Sequence, residues 1–164
     1  GRSYGDGPNA FQVNRTAVAA GLRSVDVGVA WRLTLTGGGK PVVLDRATLL
    51  AMQQHTADLP IACVEGWSVT QTWTGVKLAD LARMAGVPTP QSALVQSAER
   101  DGAWKVATLQ SNQVLDPDAL LALRVNGADL SLDHGFPARI IVPALPGVHN
   151  TKWVRAIDFS HPSR

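Results

Sequence analysis

The sequence predicts a single mixed α+β domain, and three observations carry that reading. Apolar residues at alternating positions mark several strand-like segments. The helical patterns between them are short and carry their own caps. The two kinds of segment do not follow the strand–helix–strand alternation of a doubly wound sheet. With 164 residues, 45% hydrophobic and 17% charged, the chain has the apolar material for one core and too little charge for a disordered tail.

The first ten residues, GRSYGDGPNA, read as a loop or the end of a linker, which leaves residues 11–164 as the domain. Val25, Val27, Val29, Trp31, Leu33 and Leu35 then alternate with other residues, the period of a strand with one buried face. Gly37-Gly38-Gly39 turns the chain, and Pro41 to Leu44 returns as a second strand. Asp45 is placed to cap a short helix carrying Leu49, Leu50 and Met52. A stronger helix is predicted from Val76 to Ala85, ended by Gly86 with Pro88 beyond it. A third starts at Asp116-Pro117 and runs through Leu120 and Leu123 towards Asn126-Gly127. Pro60–Val64, Ala93–Ser97, Trp104–Leu109, Ala138–Val142 and Trp153–Phe159 read as further strands.

Composition excludes several classes of function. The apolar runs fall well short of the roughly 20 residues a membrane-spanning helix needs. No cationic and apolar leader opens the chain, although a domain cut from a longer secreted or membrane protein would look the same. The formal net charge is +2, without the Lys/Arg clusters of a nucleic-acid surface, so no nucleic-acid partner is expected.

Four groups of residues are candidates for chemistry. Cys63, the single cysteine, ends an apolar strand just before a glycine turn in Cys63-Val64-Glu65-Gly66-Trp67. Its thiol is either a small buried hydrophobe or a reactive group, and with no second thiol, CxxC or HxxxH it does not suggest zinc. His134-Gly135-Phe136-Pro137-Ala138-Arg139 leads into the apolar Ile140-Ile141-Val142, which would hold His134 and Arg139 in set positions. Asn150-Thr151-Lys152-Trp153 follows a Pro-Gly turn and offers an amide, a hydroxyl and an ammonium in series, apt for a phosphate or a polar heterocycle. Asn14-Arg15-Thr16 forms a similar small polar group. Taken alone, each of the last three also reads as an ordinary polar loop.

Taken together they resemble a family. Cys63-Val64-Glu65-Gly66-Trp67-Ser68 with Trp73-Thr74-Gly75-Val76-Lys77-Leu78 is similar to the cysteine segment of the sulfite oxidase family of molybdopterin enzymes. The nearest branch is the bacterial one that includes the periplasmic methionine sulfoxide reductase catalytic subunit. The HGFPARIIVP segment, with NTKW starting eleven residues after Arg139, is similar to that family's later pterin-binding signature. The resemblance runs in matching order from about Phe11 to Phe159.

The resemblance implies that Cys63 is a thiolate ligand of molybdenum and that His134, Arg139, Asn150, Thr151 and Lys152 bind molybdopterin, chiefly its phosphate and pterin ring. It implies cofactor contacts for Asn14 and, through a loosely aligned loop, for Ser97. The expected activity is two-electron oxygen-atom transfer on a small sulfite- or sulfoxide-type substrate. It also implies an extracytoplasmic domain without haem, monomeric, served by a membrane-bound electron partner and cofactor-free in some heterologous preparations. Two departures stand out: Val13 replaces the arginine that precedes the asparagine in animal sulfite oxidases, and His149 stands where bacterial relatives often carry lysine. The alternatives are a non-catalytic cofactor-binding or scaffold domain and a thiol-dependent hydrolase using Cys63.

Overall fold

Two β-sheets share the main apolar core in the computed structural model, which describes residues 5–62, 68–100, 105–144 and 150–161. The first sheet contains β1 (Leu33–Thr36), β2 (Val42–Leu44), β5 (Ser92–Ser97), β6 (Val106–Gln110) and β10 (Val154–Ser160), in the order β2-β1-β10-β5-β6. Its β1–β10 pair is parallel and its other pairs are antiparallel. The second contains β3 (His55–Ala62), β4 (Ser68–Lys77), β7 (Leu120–Val125) and β8 (Ala128–Asp129) in that order, with β9 (Arg139–Ile141) also paired to β7. The helices are α1 (Ser24–Val27), α2 (Arg46–Ala51), α3 (Leu78–Met84) and α4 (Ser111–Val114). This is the mixed α+β architecture that the short helices and many strands predict.

The main core draws Leu33, Leu35, Val95, Ile157 and Phe159 from the first sheet and Val76, Leu121, Leu123 and Ile140 from the second. On the other face of the second sheet, Leu120, Ala122 and Ile141 pack with Phe11, Trp73 and Leu130. The strand β7 is therefore buried on both faces, and that is why a helix from Asp116 through Leu123 does not form. A short run that is apolar at every position suits a central strand as well as a buried helix, and pairing with β4 and β9 decides for the strand. Asp116 still caps, accepting from the Asp118 N–H at 2.8 Å, but what it caps is a turn.

Two other elements differ from expectation. The alternation from Val25 to Leu35 yields a strand only from Leu33; upstream lies α1, with Val25 68% and Val29 100% exposed. There the Asp26 carboxylate accepts from the Arg23 N–H at 2.9 Å and folds the chain into a helical turn, a local bond that competes with the ladder. The helix expected from Val76 starts at Leu78, because Val76 and Lys77 pair with Leu121 and Leu120 as the end of β4. Asp45 caps α2 through the Thr48 N–H at 2.8 Å, and Gly86 turns the chain at φ +82° after α3, both as the sequence predicts. At Gly75 the β4–β7 register shifts, and a Cβ there would meet the Leu121 carbonyl oxygen at 2.0 Å, so only glycine fits. No helix among the described residues is long and apolar enough to cross a membrane.

Candidate functional site

The residues following β8 and those preceding β10 lie side by side. Ser131–Pro137 winds through tight turns, with Gly135 N–H donating to the Leu132 carbonyl and Phe136 N–H to the Ser131 carbonyl, each at 3.1 Å. The 150–154 segment runs beside β9: Ile140 N–H donates to the Thr151 carbonyl at 2.8 Å, and Val154 N–H to the Ala138 carbonyl at 3.0 Å. The side-chain oxygen of Asn150 accepts from Val142 N–H at 2.9 Å. Gly135 sits where the two segments press together. Its φ is +112°, and a Cβ would meet Arg139 Cβ at 3.0 Å and Lys152 Cγ at 3.1 Å.

Arg139 opens β9 with only 3% of its surface exposed. Its guanidinium donates to the His134 carbonyl at 3.1 Å and the Asn150 carbonyl at 3.3 Å, and lies 5.1 Å from the Trp73 ring centroid. Among the described residues neither Arg139 nor Lys152 forms an ion pair. Burial lowers the Arg139 pKa to about 9. The Lys152 ammonium donates to the Arg15 and Asp133 carbonyls and lies 4.7 Å from the Trp153 ring centroid. Burial, reinforced by the Arg139 charge, lowers Lys152 to about 7. Trp153 itself adopts φ +55°, a left-handed conformation that a bulky side chain rarely takes, and its indole N–H is anchored on the Leu132 carbonyl at 2.7 Å. Backbone strain of this kind concentrates at functional sites.

His134 is buried and stacked on Phe11, with ring centroids 3.8 Å apart. Its Nε2 lies 3.1 Å from the Asn9 carbonyl, an acceptor only, so Nε2 carries the proton. Burial first, then the Arg139 and Lys152 charges, push its pKa down to about 4, which leaves it neutral at physiological pH. Across the site, Ser97 donates its hydroxyl to the Lys152 carbonyl at 2.7 Å and accepts from Glu99 N–H at 3.1 Å. Glu99 is 8% exposed; its Oε1 has no hydrogen-bond partner among the described residues and stands 3.8 Å from the Arg15 guanidinium. Burial raises the Glu99 pKa against the pull of Arg15, Lys152 and Lys105. The Thr151 hydroxyl is also buried and unpartnered.

Of the residues that the sequence singles out, His134, Arg139, Asn150, Thr151, Lys152 and Ser97 thus form one connected cluster. Asn14 is exposed, beside Arg15, whose carbonyl receives Lys152. Cys63 lies outside the described residues, directly after β3. Glu99, Asp133 and Trp73 belong to the cluster but were not picked out from sequence as site residues. Glu99 carried a signal, an acid two residues beyond Ser97 where an apolar strand ends; Asp133 carried one only by adjoining His134. The cluster holds an excess of buried donors and positive charge over acceptors, which suits an anionic, heteroatom-rich ligand.

The oxidoreductase molybdopterin-binding domain matches residues 20–164. Among curated proteins the chain is 33% identical over 137 residues to the uncharacterized oxidoreductase YuiH of Bacillus subtilis (strain 168), spanning 80% of this chain and 68% of that protein. It is 34% identical over 167 residues to the sulfite oxidase of Gallus gallus, spanning 82% of this chain and 36% of that protein. It is 31% identical over 155 residues to the protein-methionine-sulfoxide reductase catalytic subunit MsrP of Gluconobacter oxydans (strain 621H), spanning 81% of this chain and 49% of that protein. The crystal structure of the sulfane dehydrogenase SoxCD from Paracoccus pantotrophus superposes with a TM-score of 0.71 at 26% identity, covering 82% of this chain and 39% of that one.

Proposed function

The chain belongs to the oxidoreductase molybdopterin-binding domain family, and from that premise we propose that it holds molybdopterin across the cluster around Arg139 and Lys152 and uses it for two-electron oxygen-atom transfer. The observation that carries the proposal is the buried Arg139, whose hydrogen bonds all go to backbone carbonyls, beside a second cation and the buried Thr151 hydroxyl, which has no hydrogen-bond partner among the described residues. A buried charge of this kind is costly unless a counter-charge joins it. A cofactor phosphate supplies that charge, and the Lys152 ammonium and Thr151 hydroxyl are donors suited to it. The Glu99 carboxylate is an acceptor for the amino and ring N–H groups of a pterin. The donor set therefore fits the group.

When bound, molybdopterin supplies a metal that exchanges two electrons and an oxygen atom with a substrate. The chain's own residues bind and orient. Arg139 ties the His134 and Asn150 loops together through their carbonyls, Ser97 ties the Lys152 loop to the end of β5, and neutral His134 presents a fixed ring rather than a third charge. Cys63 is proposed as the thiolate ligand, on the strength of its motif and its position directly after β3. We assign cofactor binding to residues 11–164, with Asn14 at the rim, and propose a sulfite- or sulfoxide-type substrate and an extracytoplasmic location. The sulfite oxidase and methionine-sulfoxide reductase relatives support the substrate class.

The test is production in a host that makes molybdopterin, with molybdenum and pterin measured per chain. The parent should carry both, Arg139→Ala should carry little of either, and Cys63→Ser should keep pterin yet lose turnover. A parent that leaves such a host without pterin overturns the reading.

A further inference from the structure

The 8–17 segment forms no helix or strand, and it precedes residues 20–164, the stretch that matches the family domain. It is fastened across the cluster by specific bonds. Asn9 clamps the chain after β8 with both ends of its amide: Nδ2 donates to the Asp129 carbonyl at 3.0 Å, and Oδ1 accepts from Ser131 N–H at 2.8 Å. The Pro8 carbonyl accepts from Asn126 Nδ2 at 2.8 Å, at the turn between β7 and β8. Further on, the Arg15 carbonyl receives the Lys152 ammonium, and Ala17 N–H donates to Asp133 Oδ1 at 2.9 Å.

Between these anchors Phe11 is buried and touches both halves of the site. Its ring stacks on His134 with centroids 3.8 Å apart and planes 20° apart, and meets Trp73 at 5.9 Å and 90°. Trp73 lies against the Arg139 guanidinium and donates its indole N–H to the Leu59 carbonyl at 3.2 Å, in β3, the strand that leads to Cys63. The His134 ring is thereby fixed. One face lies on Phe11, Nε2–H donates to the Asn9 carbonyl, and the amide clamp holds Asn9 itself. Turning the ring over would put a carbon against that carbonyl and lose the bond. The tautomer so fixed leaves Nδ1 as an acceptor.

We propose that Phe11 is a positioning residue of the site: with Asn9 it holds the His134 ring in one orientation and one tautomer, and the 8–17 segment is the strap that keeps it there. What the ring meets rests on the cofactor reading above; how the ring is held rests on the geometry alone. Two features separate positioning from the filling of space. A filler needs only volume, whereas this ring lies nearly parallel to His134 and perpendicular to Trp73. The strap's anchors are polar and directional, and they fall on the segments that carry His134 and Lys152. Outer contacts of this kind set the orientation of the groups that meet a ligand.

The experiment reads the ring nitrogens of His134 by NMR in the whole, cofactor-free chain at about pH 7, where the ring is neutral and its tautomer is seen directly. The parent should show one tautomer, with the proton on Nε2. Phe11→Leu keeps apolar bulk and removes the stack; it should give a mixture of tautomers and exchange the ring N–H with water roughly tenfold faster or more. Asn9→Ala, which opens the clamp, should move the signals the same way, and Phe11→Tyr, which restores a ring, should return them to the parent's. Val125→Ala trims the same apolar cluster and should lower stability without moving either signal. A parent already mixed, a single tautomer kept in both Phe11→Leu and Asn9→Ala, or an equal change in Val125→Ala would sink the proposal. In protein from a molybdopterin-producing host, Phe11→Leu should release pterin roughly tenfold faster than the parent, and unchanged release also counts against positioning. A parent without pterin speaks against the cofactor reading, and the tautomer comparison still decides what holds His134.

Discussion

Lys152 should make the cofactor-free protein more stable as the pH rises from 7 to 9. Its ammonium is lowered from 10.5 to about 7 by burial and by the Arg139 charge, so in this window the folded state has given up a proton that the unfolded chain retains. Stability rises wherever the unfolded state binds more protons, here from about pH 7 towards 10.5, and is lowest and flat below 7. The two pKa values give a ceiling of about 2 kcal/mol between pH 7 and 9. Partial solvent access reduces this to roughly 1–2 kcal/mol. Stopping at pH 9 limits the Arg139 contribution, most of which develops above its folded-state value of about 9. His134 acts in the same sense only between about 4 and its ordinary 6.5. Glu99, raised, acts in the opposite sense, its contribution falling as pH climbs from the ordinary carboxylate value to its raised one. The assay is urea unfolding of cofactor-free protein at half-unit pH steps, for the parent and for Lys152→Met. Taking the difference between the two cancels the titrating groups that do not feel the Lys152 charge; His134 and Glu99 do feel it. A flat difference from pH 7 to 9, or one of opposite slope, would refute the burial of Lys152 as the source.

Gly135→Ala should destabilise by roughly 1–3 kcal/mol, since it adds a Cβ at positive φ against Arg139 and Lys152, and should lower molybdenum per chain in loaded preparations. Leu121→Ala should cost about 2–5 kcal/mol in urea unfolding, because β7 packs on both faces. Val29→Asp should change stability by less than about 0.5 kcal/mol. A large loss at Val29 would restore the strand reading that its full exposure contradicts.

The legible parts of the fold were those fixed by neighbours in sequence. The Asp45 cap, the Gly86 terminator and the strands at Ser92–Ser97 and Val154–Ser160 follow from local pattern and turn chemistry. The β7 strand was not legible, since Leu120 to Val125 shows no period when both faces are covered, and only the pairing partners distinguish strand from helix. The α1 turn was lost for the opposite reason: a side-chain bond from Asp26 outweighed a regular alternation. The site was legible as a set of residue types, His134, Arg139 and Asn150 to Lys152, through the resemblance. Their division of labour was not. That Arg139 spends its hydrogen bonds on the two loops' carbonyls, while the Thr151 hydroxyl makes none among the described residues, is a matter of burial and direction that spacing does not encode.

The parallel pairing of β1 with β10 has a consequence for the order in which the molecule is made. Thr36 and Asp158, joined across that pair at 2.8 Å, are 122 residues apart, and β10 lies between β1 and β5 in the sheet. During synthesis the first sheet therefore waits as two halves, β2-β1 and β5-β6, with an unfilled slot between them. The strand that fills it follows directly after Asn150, Thr151 and Lys152. The sheet's last seam and the last residues of the cluster thus emerge from the ribosome together, and the cluster cannot be completed by a nascent chain that has yet to close its sheet. Such a long-range closure folds slowly, and it confines loading of a large ligand to the finished domain.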